Sequence, residues 1–338
     1  MHCNIIRKSI SKKEYHSMIE THDTAFSRTV KNGFSYYNAT NLYTLGLREI
    51  RLENHTRFQD DYRMKIVINF NVFHKGDDFF SYNIENFVYD NFLSLLESTL
   101  EGFISNYHRG SPWFFEKVEY SRDYFTENHN EINNIITKCN YINGKRKLEF
   151  HAYESGIEFC SYEKTDQSRR PTFRFHFYRK KTEQLDKKNH LTDAQIMNIE
   201  NMYHVEAQLF KGRIDDLSRQ LGVSRGSIED FTNSVLEDNY LKKYIIEIYG
   251  INPHRKRKAN VEIIKNSGES SYSKRQLIHI LDQINQSSIH SARNKYKGAQ
   301  KKLFDSNLKK IINLGINPIY LTSQSPLAIM PPLVEQIF

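Results

Sequence analysis

The chain has 338 residues, of which 38% are hydrophobic and 26% are charged, and its formal net charge is +8. That composition excludes a disordered or collagen-like chain, and the length allows one large domain or two modest ones. No stretch approaches the ~20 apolar residues of a membrane span, so we expect a cytoplasmic protein with no membrane partner.

Periodicity predicts both strands and helices in the first two thirds of the chain. Alternating or β-branched runs predict strands at 45–52, 64–73, 113–124, 147–153, 156–162, 172–178 and 202–210. Apolar residues at helical spacing predict helices at 86–103, 128–139 and 191–199, the last of them capped by Thr192 or Asn189.

After residue 210 the pattern becomes helical. Residues 213–250 and 271–314 have helical spacing, and the segment between them, 252–260 (NPHRKRKAN), is predicted to be an exposed basic linker. The final segment, 317–338, is predicted to pack as an extended tail. The order of elements predicts an α+β fold: a mixed or antiparallel sheet domain flanked by helices over residues 1–212, then a helical, basic DNA-binding or accessory region over 213–338.

The basic balance favours a polyanionic partner, although a basic but ordinary protein is an open alternative. Three widely spaced cysteines, Cys3, Cys139 and Cys160, argue against a disulfide framework and against a Cys-x-x-Cys metal site. They are consistent with a reducing cytosol.

Acidic side chains on predicted strands are the most informative candidates for chemistry. Glu119 and Asp123 are four residues apart and therefore share one face of a strand, and Glu206 lies within an apolar strand. Buried carboxylates need a cation, and converging carboxylates suit Mg²⁺ or Mn²⁺. Glu183, which follows the predicted strand 172–178, is a fourth candidate ligand. The alternative is salt bridging to nearby cations: Arg122, Arg174, Arg179 and Lys181.

Three ordered blocks resemble those of rolling-circle replication initiators from small plasmids and single-stranded-DNA phages. The blocks are 118–123 (VEYSRD), 177–183 (FYRKKTE) and 204–209 (HVEAQL). The second matches the family pattern Tyr-x-Lys-(Lys)-x-Glu in full. In the first, Glu119 takes the place of an Asp, and in the third, His204 takes the place of an Arg. The resemblance covers about residues 60–225.

The resemblance implies a nicking enzyme with a carboxylate-bound divalent metal. Tyr178 takes the role of nucleophile that forms a 5′-phosphotyrosine link, and Lys180 or Lys181 stabilises the charge or assists deprotonation. Origin DNA, single-stranded or as a hairpin, is the implied substrate, and a homodimer and a host helicase are the implied partners. A second initiator class uses a His-apolar-His triplet, which none of the 14 histidines forms.

Three basic groups are candidates for contacts with DNA. Residues 217–228 look like a helix-turn-helix in which Gly222 serves the turn, Ser224 caps the second helix and Arg225 faces a major groove. An ordinary helix pair that closes the sheet domain is the alternative. Clustered cations that neutralise phosphates complete the set: Arg169, Arg170, Arg255, Lys256, Arg257 and Lys258.

Two other functions stay open beside the initiator. One is a non-catalytic, sequence-specific DNA-binding regulator on a degenerate initiator scaffold, which predicts scattered acids or a buried tyrosine hydroxyl. The other is an RNA-binding or interaction protein that is basic and aromatic and has no metal site.

Overall fold

The structure, a computed structural model, describes residues 3–21, 26–31, 34–39, 42–54, 61–76, 87–104, 107–139, 148–164, 169–186 and 191–338. Within them the strands are β1 (Asn4–Ile10), β2 (Ser27–Lys31), β3 (Phe34–Ala39), β4 (Leu47–Asn54), β5 (Tyr62–Ile68), β6 (Phe114–Phe125), β7 (Glu149–Ala152), β8 (Gly156–Lys164), β9 (Arg169–Arg179), β10 (Met202–Phe210), β11 (His254–Arg255) and β12 (Ile329–Met330).

The helices of the same residues are α1 (Lys12–Thr21), α2 (Phe70–Lys75), α3 (Tyr89–Phe103), α4 (His129–Lys138), α5 (Lys180–Asp186), α6 (Asp193–Ile199), α7 (Lys211–Leu221), α8 (Ile228–Phe231), α9 (Ser234–Tyr249), α10 (Arg257–Asn266), α11 (Ser271–Gln286), α12 (Ile289–Asn294), α13 (Ala299–Asn313) and α14 (Leu333–Ile337). A 3-10 turn spans Tyr43–Leu45.

In the described part of the chain, ten strands form one sheet in the order β2-β3-β4-β5-β1-β6-β10-β9-β8-β7. The β1–β5, β4–β5 and β7–β8 ladders are antiparallel. The remaining two strands, β11 and β12, pair with each other. This large sheet with flanking helices confirms the predicted α+β class.

The chain forms two compact units, each assembled from separate stretches. The first comprises Met1–Ser121, Tyr162–Phe173 and Ala207–Asn239, and the second comprises Arg122–Ser161, Arg174–Glu206 and Tyr240–Phe338. The nicking domain predicted at 1–212 and the accessory region predicted at 213–338 stay predictions.

An aromatic cluster organises the first unit. Phe70 of α2 stacks on Phe92 of α3 with 5.1 Å between ring centroids, and its ring lies 6.3 Å from that of Phe115 on β6. All three side chains are buried. Since each buried aromatic ring contributes about 2–3 kcal/mol through burial, this cluster holds both helices against the strand that carries Glu119.

Buried polar contacts anchor the C-terminal part of the second unit. The Thr322 hydroxyl donates a hydrogen bond of 2.8 Å to the buried carboxylate of Glu131 on α4, and the Thr322 backbone N–H donates to the same carboxylate. Of the two predicted caps, Thr192 caps α6, where it forms a capping box with Gln195 because each side chain bonds the backbone of the other residue. The predicted helix at 191–199 is therefore confirmed.

Three local predictions were wrong. The strand predicted over 64–73 ends at Ile68, because the Asn69 side chain accepts hydrogen bonds from the N–H groups of Asn71 and Val72 and begins α2 there. The segment 252–260, predicted as an exposed linker, contains β11 and the start of α10, and its His254 is fully buried. The tail 317–338 likewise contains a short strand and a helix.

The predicted helix-turn-helix does not form as expected. Gly222 ends α7 in a left-handed conformation with φ of 69°, as predicted for the turn. The next helix is only four residues long, and Ser227, not Ser224, caps it. The Phe115 N–H donates a 2.7 Å hydrogen bond to the Gly226 carbonyl, which fixes this turn on β6. The alternative of a helix pair that closes the sheet is therefore favoured.

His254 should make stability depend on pH. Burial lowers its pKa to about 4, although Nδ1 donates to the Ile319 carbonyl at 2.9 Å. The folded-state pKa is depressed below the unfolded value of about 6.5, so the neutral ring's stabilisation is complete above pH 6.5. Between pH 6.5 and pH 4 the unfolded chain binds a proton that the folded chain does not, and the free energy of unfolding falls by about 3 kcal/mol.

Urea unfolding of the wild type and His254→Gln at pH 7 and pH 4.5 measures this contribution, with the exposed His279→Gln as the control. We expect the pH-dependent loss of stability to be smaller in His254→Gln and unchanged in His279→Gln. An equal loss in all three proteins would contradict the assignment.

Candidate functional site

A row of ionisable side chains crosses four neighbouring strands in the second unit. Asp123 lies on β6, His204 and Glu206 on β10, His176 on β9, and Glu158 on β8. These strands are neighbours in the sheet, so the row is continuous from Asp123 to Glu158. Two predicted metal ligands, Asp123 and Glu206, belong to it.

Each histidine in the row lies between two carboxylates. His204 Nδ1 is 2.7 Å from an Asp123 carboxylate oxygen, and its Nε2 is 3.5 Å from Glu206. His176 Nδ1 is 2.9 Å from the other oxygen of Glu206, and its Nε2 contacts Glu158. Glu206 is therefore shared by both rings, and it is 6% exposed.

The alternation of β-strand side chains places these groups. His204 and Glu206 are two residues apart on β10, so both project to the same face of the sheet, and the same spacing relates His176 and Tyr178 on β9. The residues between them, Val205 and Phe177, are fully buried on the opposite face. The polar row is thus backed by apolar packing, which fixes the strands that carry it.

His176 is held as an imidazolium. Burial lowers its pKa, but hydrogen bonds to Glu158 and Glu206 outweigh burial and raise the pKa to about 9. With both nitrogens protonated at neutral pH, Nδ1 donates to Glu206 and Nε2 donates to Glu158. The same hydrogen bond from His176 lowers the pKa of Glu158 to about 2, against the opposing effect of burial.

Glu206 and His204 show the same compensation. Burial raises the pKa of Glu206, but hydrogen bonds from His176 and His204 hold it well below the usual value. Burial lowers the pKa of His204, but hydrogen bonds to Asp123 and Glu206 raise it above the usual value. The contacts thus stabilise charge on both histidines and on Glu158 and Glu206 at neutral pH, because each of these charges has an opposite charge beside it.

Tyr178 lies next to this row. Its half-buried ring has its centroid 5.2 Å from that of His204 and 6.4 Å from that of His176. The Lys180 ammonium lies 6.0 Å from the centre of the Tyr178 ring. The structure therefore brings together the predicted nucleophile, one predicted lysine and two predicted metal ligands.

The two predicted lysines have different surroundings. Lys180 is buried at the start of α5, with its Nζ 3.7 Å from the carboxylate of Glu183, another predicted ligand. Lys181 forms an ion pair with Glu200, which also accepts a 3.2 Å hydrogen bond from Arg179. Lys180 is thus the lysine that the described contacts associate with Tyr178.

Glu119, the remaining predicted ligand, belongs to the first unit. Its buried carboxylate lies 3.4 Å from the Lys117 ammonium and accepts a 3.2 Å hydrogen bond from Gln208. Its backbone N–H donates to Asn4 on β1 at 2.9 Å. Glu119 is therefore salt-bridged, as the alternative to a metal site has it, although its cation is Lys117 and not one of the four cations named for that alternative.

Two of the predicted DNA-binding residues stand at the start of β9. The Arg169 guanidinium lies 3.9 Å above the centre of the Tyr162 ring, and Arg170 is exposed beside it. A stacked cation and ring form a surface suited to unpaired bases. Arg225, by contrast, is paired with Asp215 through both oxygens of that carboxylate.

The basic run at 255–258 is divided between internal contacts and surface. Arg255 donates a 2.8 Å hydrogen bond to the Gly315 carbonyl, and Arg257 forms a two-point ion pair with Asp282 at 2.7 and 2.6 Å. Lys256 precedes α10 as its N-cap residue, and Lys258 is exposed in its first turn. Both arginines therefore have structural partners.

Sequence reasoning missed the histidines of the row. His204 was interpreted only as a replacement for an Arg in the third block, and His176 was set aside because it forms no His-apolar-His triplet. Both positions could have been found from alternation, since each histidine stands two residues before a singled-out residue on the same strand. Their partners, Asp123 and Glu158, lie on other strands.

Asp123, His204 and Glu206 carry donor types that suit a divalent cation, but the two carboxylates contact opposite nitrogens of the His204 ring, so the ring must turn before all three donors can face one ion. Two carboxylates and one imidazole are ordinary ligands of first-row metals, and a nitrogen donor favours Mn²⁺ over Mg²⁺. All three side chains are largely buried; a 2.7 Å hydrogen bond joins His204 to Asp123, and the other ring nitrogen lies 3.5 Å from Glu206. A cation would take the place of the proton that now bridges Asp123 and His204.

No protein-family model matches the chain, and no curated protein matches it. Among solved structures, a rolling circle replication initiator protein from Geobacillus stearothermophilus is similar at 9% identity and a TM-score of 0.33, over 96% of this chain and 98% of that chain. A TM-score at that level does not establish a common fold. Among the described residues, no helix is both long and apolar enough to cross a membrane.

Gly156 is required for the position of Tyr178. A Cβ atom at Gly156 would lie 2.2 Å from the Phe177 carbonyl oxygen and 2.5 Å from the Tyr178 Cα. We expect Gly156→Ala to lower the free energy of unfolding by about 1–3 kcal/mol, because the backbone of β9 must shift. Chemical denaturation measures the change.

Gly268→Ala is the matched control, because a Cβ at Gly268 has no neighbour within 4 Å. Its effect should stay within about 0.5 kcal/mol, as for other surface changes. If Gly156→Ala were equally neutral, the close approach of the two strands would not constrain Tyr178.

Proposed function

We propose that this protein is a rolling-circle type replication initiator that nicks one strand of origin DNA through Tyr178. The observation that carries the proposal is the surroundings of Tyr178: it stands in the block that matches the initiator pattern in full, and its ring lies 5.2 Å from His204, which contacts both Asp123 and Glu206. A tyrosine beside buried carboxylates and a buried lysine is suited to covalent chemistry on a phosphodiester.

The proposed step forms one bond and breaks one. The Tyr178 hydroxyl oxygen attacks phosphorus, the bond from phosphorus to the 3′ oxygen of the preceding nucleotide breaks, and the 5′ phosphate stays on the tyrosine. The phenol releases its proton to solvent, and the departing oxygen takes a proton from solvent and becomes a 3′ hydroxyl, so protons balance over the step. Lys180 supplies positive charge beside the phenol, and its Nζ is positioned by Glu183 at 3.7 Å.

Asp123, His204 and Glu206 are the proposed ligands of the divalent cation that the initiator resemblance implies. When bound, such a cation polarises the phosphodiester and neutralises charge that develops on it. The role of His176 is to hold Glu206: its Nδ1 is 2.9 Å from that carboxylate, and its other nitrogen contacts Glu158. The contact from His176 Nδ1 fixes the orientation of the Glu206 carboxylate through the oxygen that does not face His204.

Arg169 and Arg170 are proposed to contact single-stranded DNA. The Arg169–Tyr162 stack offers a flat surface for a base, and the exposed Arg170 can meet a phosphate. Lys256 and Lys258 add sequence-independent attraction. Because Arg225, Arg255 and Arg257 have internal partners, we assign them a smaller part. A dimer and a host helicase are expected from the resemblance alone.

A non-catalytic DNA-binding protein is the second candidate. One observation favours this candidate. Carboxylate oxygens of Asp123, Glu206 and Glu158 already contact imidazole nitrogens. In such a protein the row would stabilise the fold and need no metal. DNA binding that depends on salt would then persist with no covalent product.

The tyrosine variant separates the two candidates. Labelled single-stranded and hairpin DNA libraries are incubated with the protein and Mn²⁺ or Mg²⁺, and covalent adducts are resolved on a denaturing gel. Tyr178→Phe should reduce adduct formation by about 10³-fold or more, because the nucleophile is gone. Tyr153→Phe, which removes an exposed hydroxyl from the β7–β8 turn, should leave the yield unchanged.

An adduct that Tyr178→Phe retains would contradict the assignment of the nucleophile. If the wild type formed no adduct with either metal while binding DNA in a salt-sensitive way, the non-catalytic candidate would be supported instead. Asp123→Asn tests the ligand assignment, and it should shift the metal concentration needed for half-maximal adduct yield upward by roughly tenfold or more.

A further inference from the structure

The β7–β8 hairpin carries a histidine and a cysteine that the proposed nicking site does not use, beside Glu158, which contacts His176. The two strands are antiparallel, with Glu149 opposite Cys160 and His151 opposite Glu158. Side chains that face each other across a ladder, or lie two apart on one strand, project from the same face. All four side chains therefore share one face of the hairpin, at the edge of the sheet.

Three of these side chains converge. One nitrogen of His151, one oxygen of Glu158 and the sulfur of Cys160 all lie within 4.8 Å of one another. The Cys160 thiol donates a hydrogen bond of 2.6 Å to Glu158. In a tetrahedral site with bonds of about 2.0–2.3 Å, ligand atoms are roughly 3–4 Å apart, so small rotations of the side chains suffice to close a site around an ion.

The chemistry of the three donors selects the ion. A thiolate, an imidazole and a carboxylate together suit Zn²⁺, whereas Mg²⁺ and Ca²⁺ prefer oxygen alone. We propose that the β7–β8 hairpin binds one Zn²⁺ ion through His151, Glu158 and Cys160, with the Cys160 proton released on binding. This site is separate from the ligands proposed beside Tyr178, and it does not depend on the nicking activity.

The edge strand gives this ion a structural role. β7 is four residues long, and Glu149, His151 and Ala152 are all exposed, so little apolar burial holds it to the sheet. Cys160 and Glu158 on β8, by contrast, are buried. An ion ligated from both strands cross-links the exposed strand to the buried one. It also engages Glu158, which accepts a hydrogen bond from His176 in the row beside Tyr178.

The test uses the full chain, reduced and stripped of metal with a chelator. Co²⁺ titration reports a cysteine ligand through a thiolate-to-cobalt charge-transfer band, and Zn²⁺ is then titrated against a chromophoric chelator. We expect one Zn²⁺ bound per chain, with the Co²⁺ band displaced by Zn²⁺ and not by an equal concentration of Mg²⁺. Zn²⁺ should also raise the melting temperature.

Variants locate the ion. Cys160→Ser should abolish the band, and His151→Gln should weaken Zn²⁺ binding by roughly tenfold or more. Cys3→Ser is the matched cysteine control, because Cys3 lies outside the hairpin, and it should bind as the wild type does. His151 is exposed, so His151→Gln is expected to fold even if a change at the buried Cys160 disturbs folding.

Three outcomes would overturn the proposal: no thiolate band and no Zn²⁺ binding, Zn²⁺ binding that His151→Gln leaves unchanged, or binding that Asp123→Asn removes and Cys160→Ser retains. The last outcome would assign the ion to the residues beside Tyr178. A loss of DNA nicking without any change in Zn²⁺ affinity would concern the proposed function alone.

Discussion

A carboxylate cannot remain charged inside a protein unless a cation meets it, and this constraint shapes the second unit. Glu206 is almost completely buried on β10, and the two histidines flanking it supply the opposing charge. Each histidine is held in turn by a further carboxylate, Asp123 or Glu158, on a neighbouring strand. Removing either histidine would take an opposing charge away from the two carboxylates beside it, so the strands from β6 to β8 must keep their register.

This row also defines what Tyr178 can do. Its ring lies against His204, and the close approach of Gly156 to the backbone of β9 fixes the strand that carries it. Lys180 adds a buried cation nearby. In the proposed function, Tyr178 as nucleophile, Lys180 as cation and the paired acids would be preorganised for phosphoryl transfer, since its catalysis rests largely on positioning and charge.

The sequence predicted much of the fold because strand and helix patterns are local. The strand 202–210 was predicted where the structure has it, and Thr192 was one of the two residues predicted to cap the helix at 191–199. The burial of His254 was not, because its partner strand lies 76 residues later at Met330. At the site, Asp123, Glu206 and Tyr178 were singled out from their spacing and from the initiator resemblance. The pairing of histidines with acids depends on strand order, which no local pattern encodes.

The central claim is that two carboxylates hold His176 as an imidazolium. NMR of histidine-labelled, metal-free protein measures this directly, with the His176 signals assigned by their loss in His176→Gln. The account predicts that the ring stays doubly protonated through neutral pH and titrates near pH 9. A ring that is neutral at pH 7, or that titrates at or below about 6.5 as a free histidine does, would contradict the account, since burial without ion pairing gives that result.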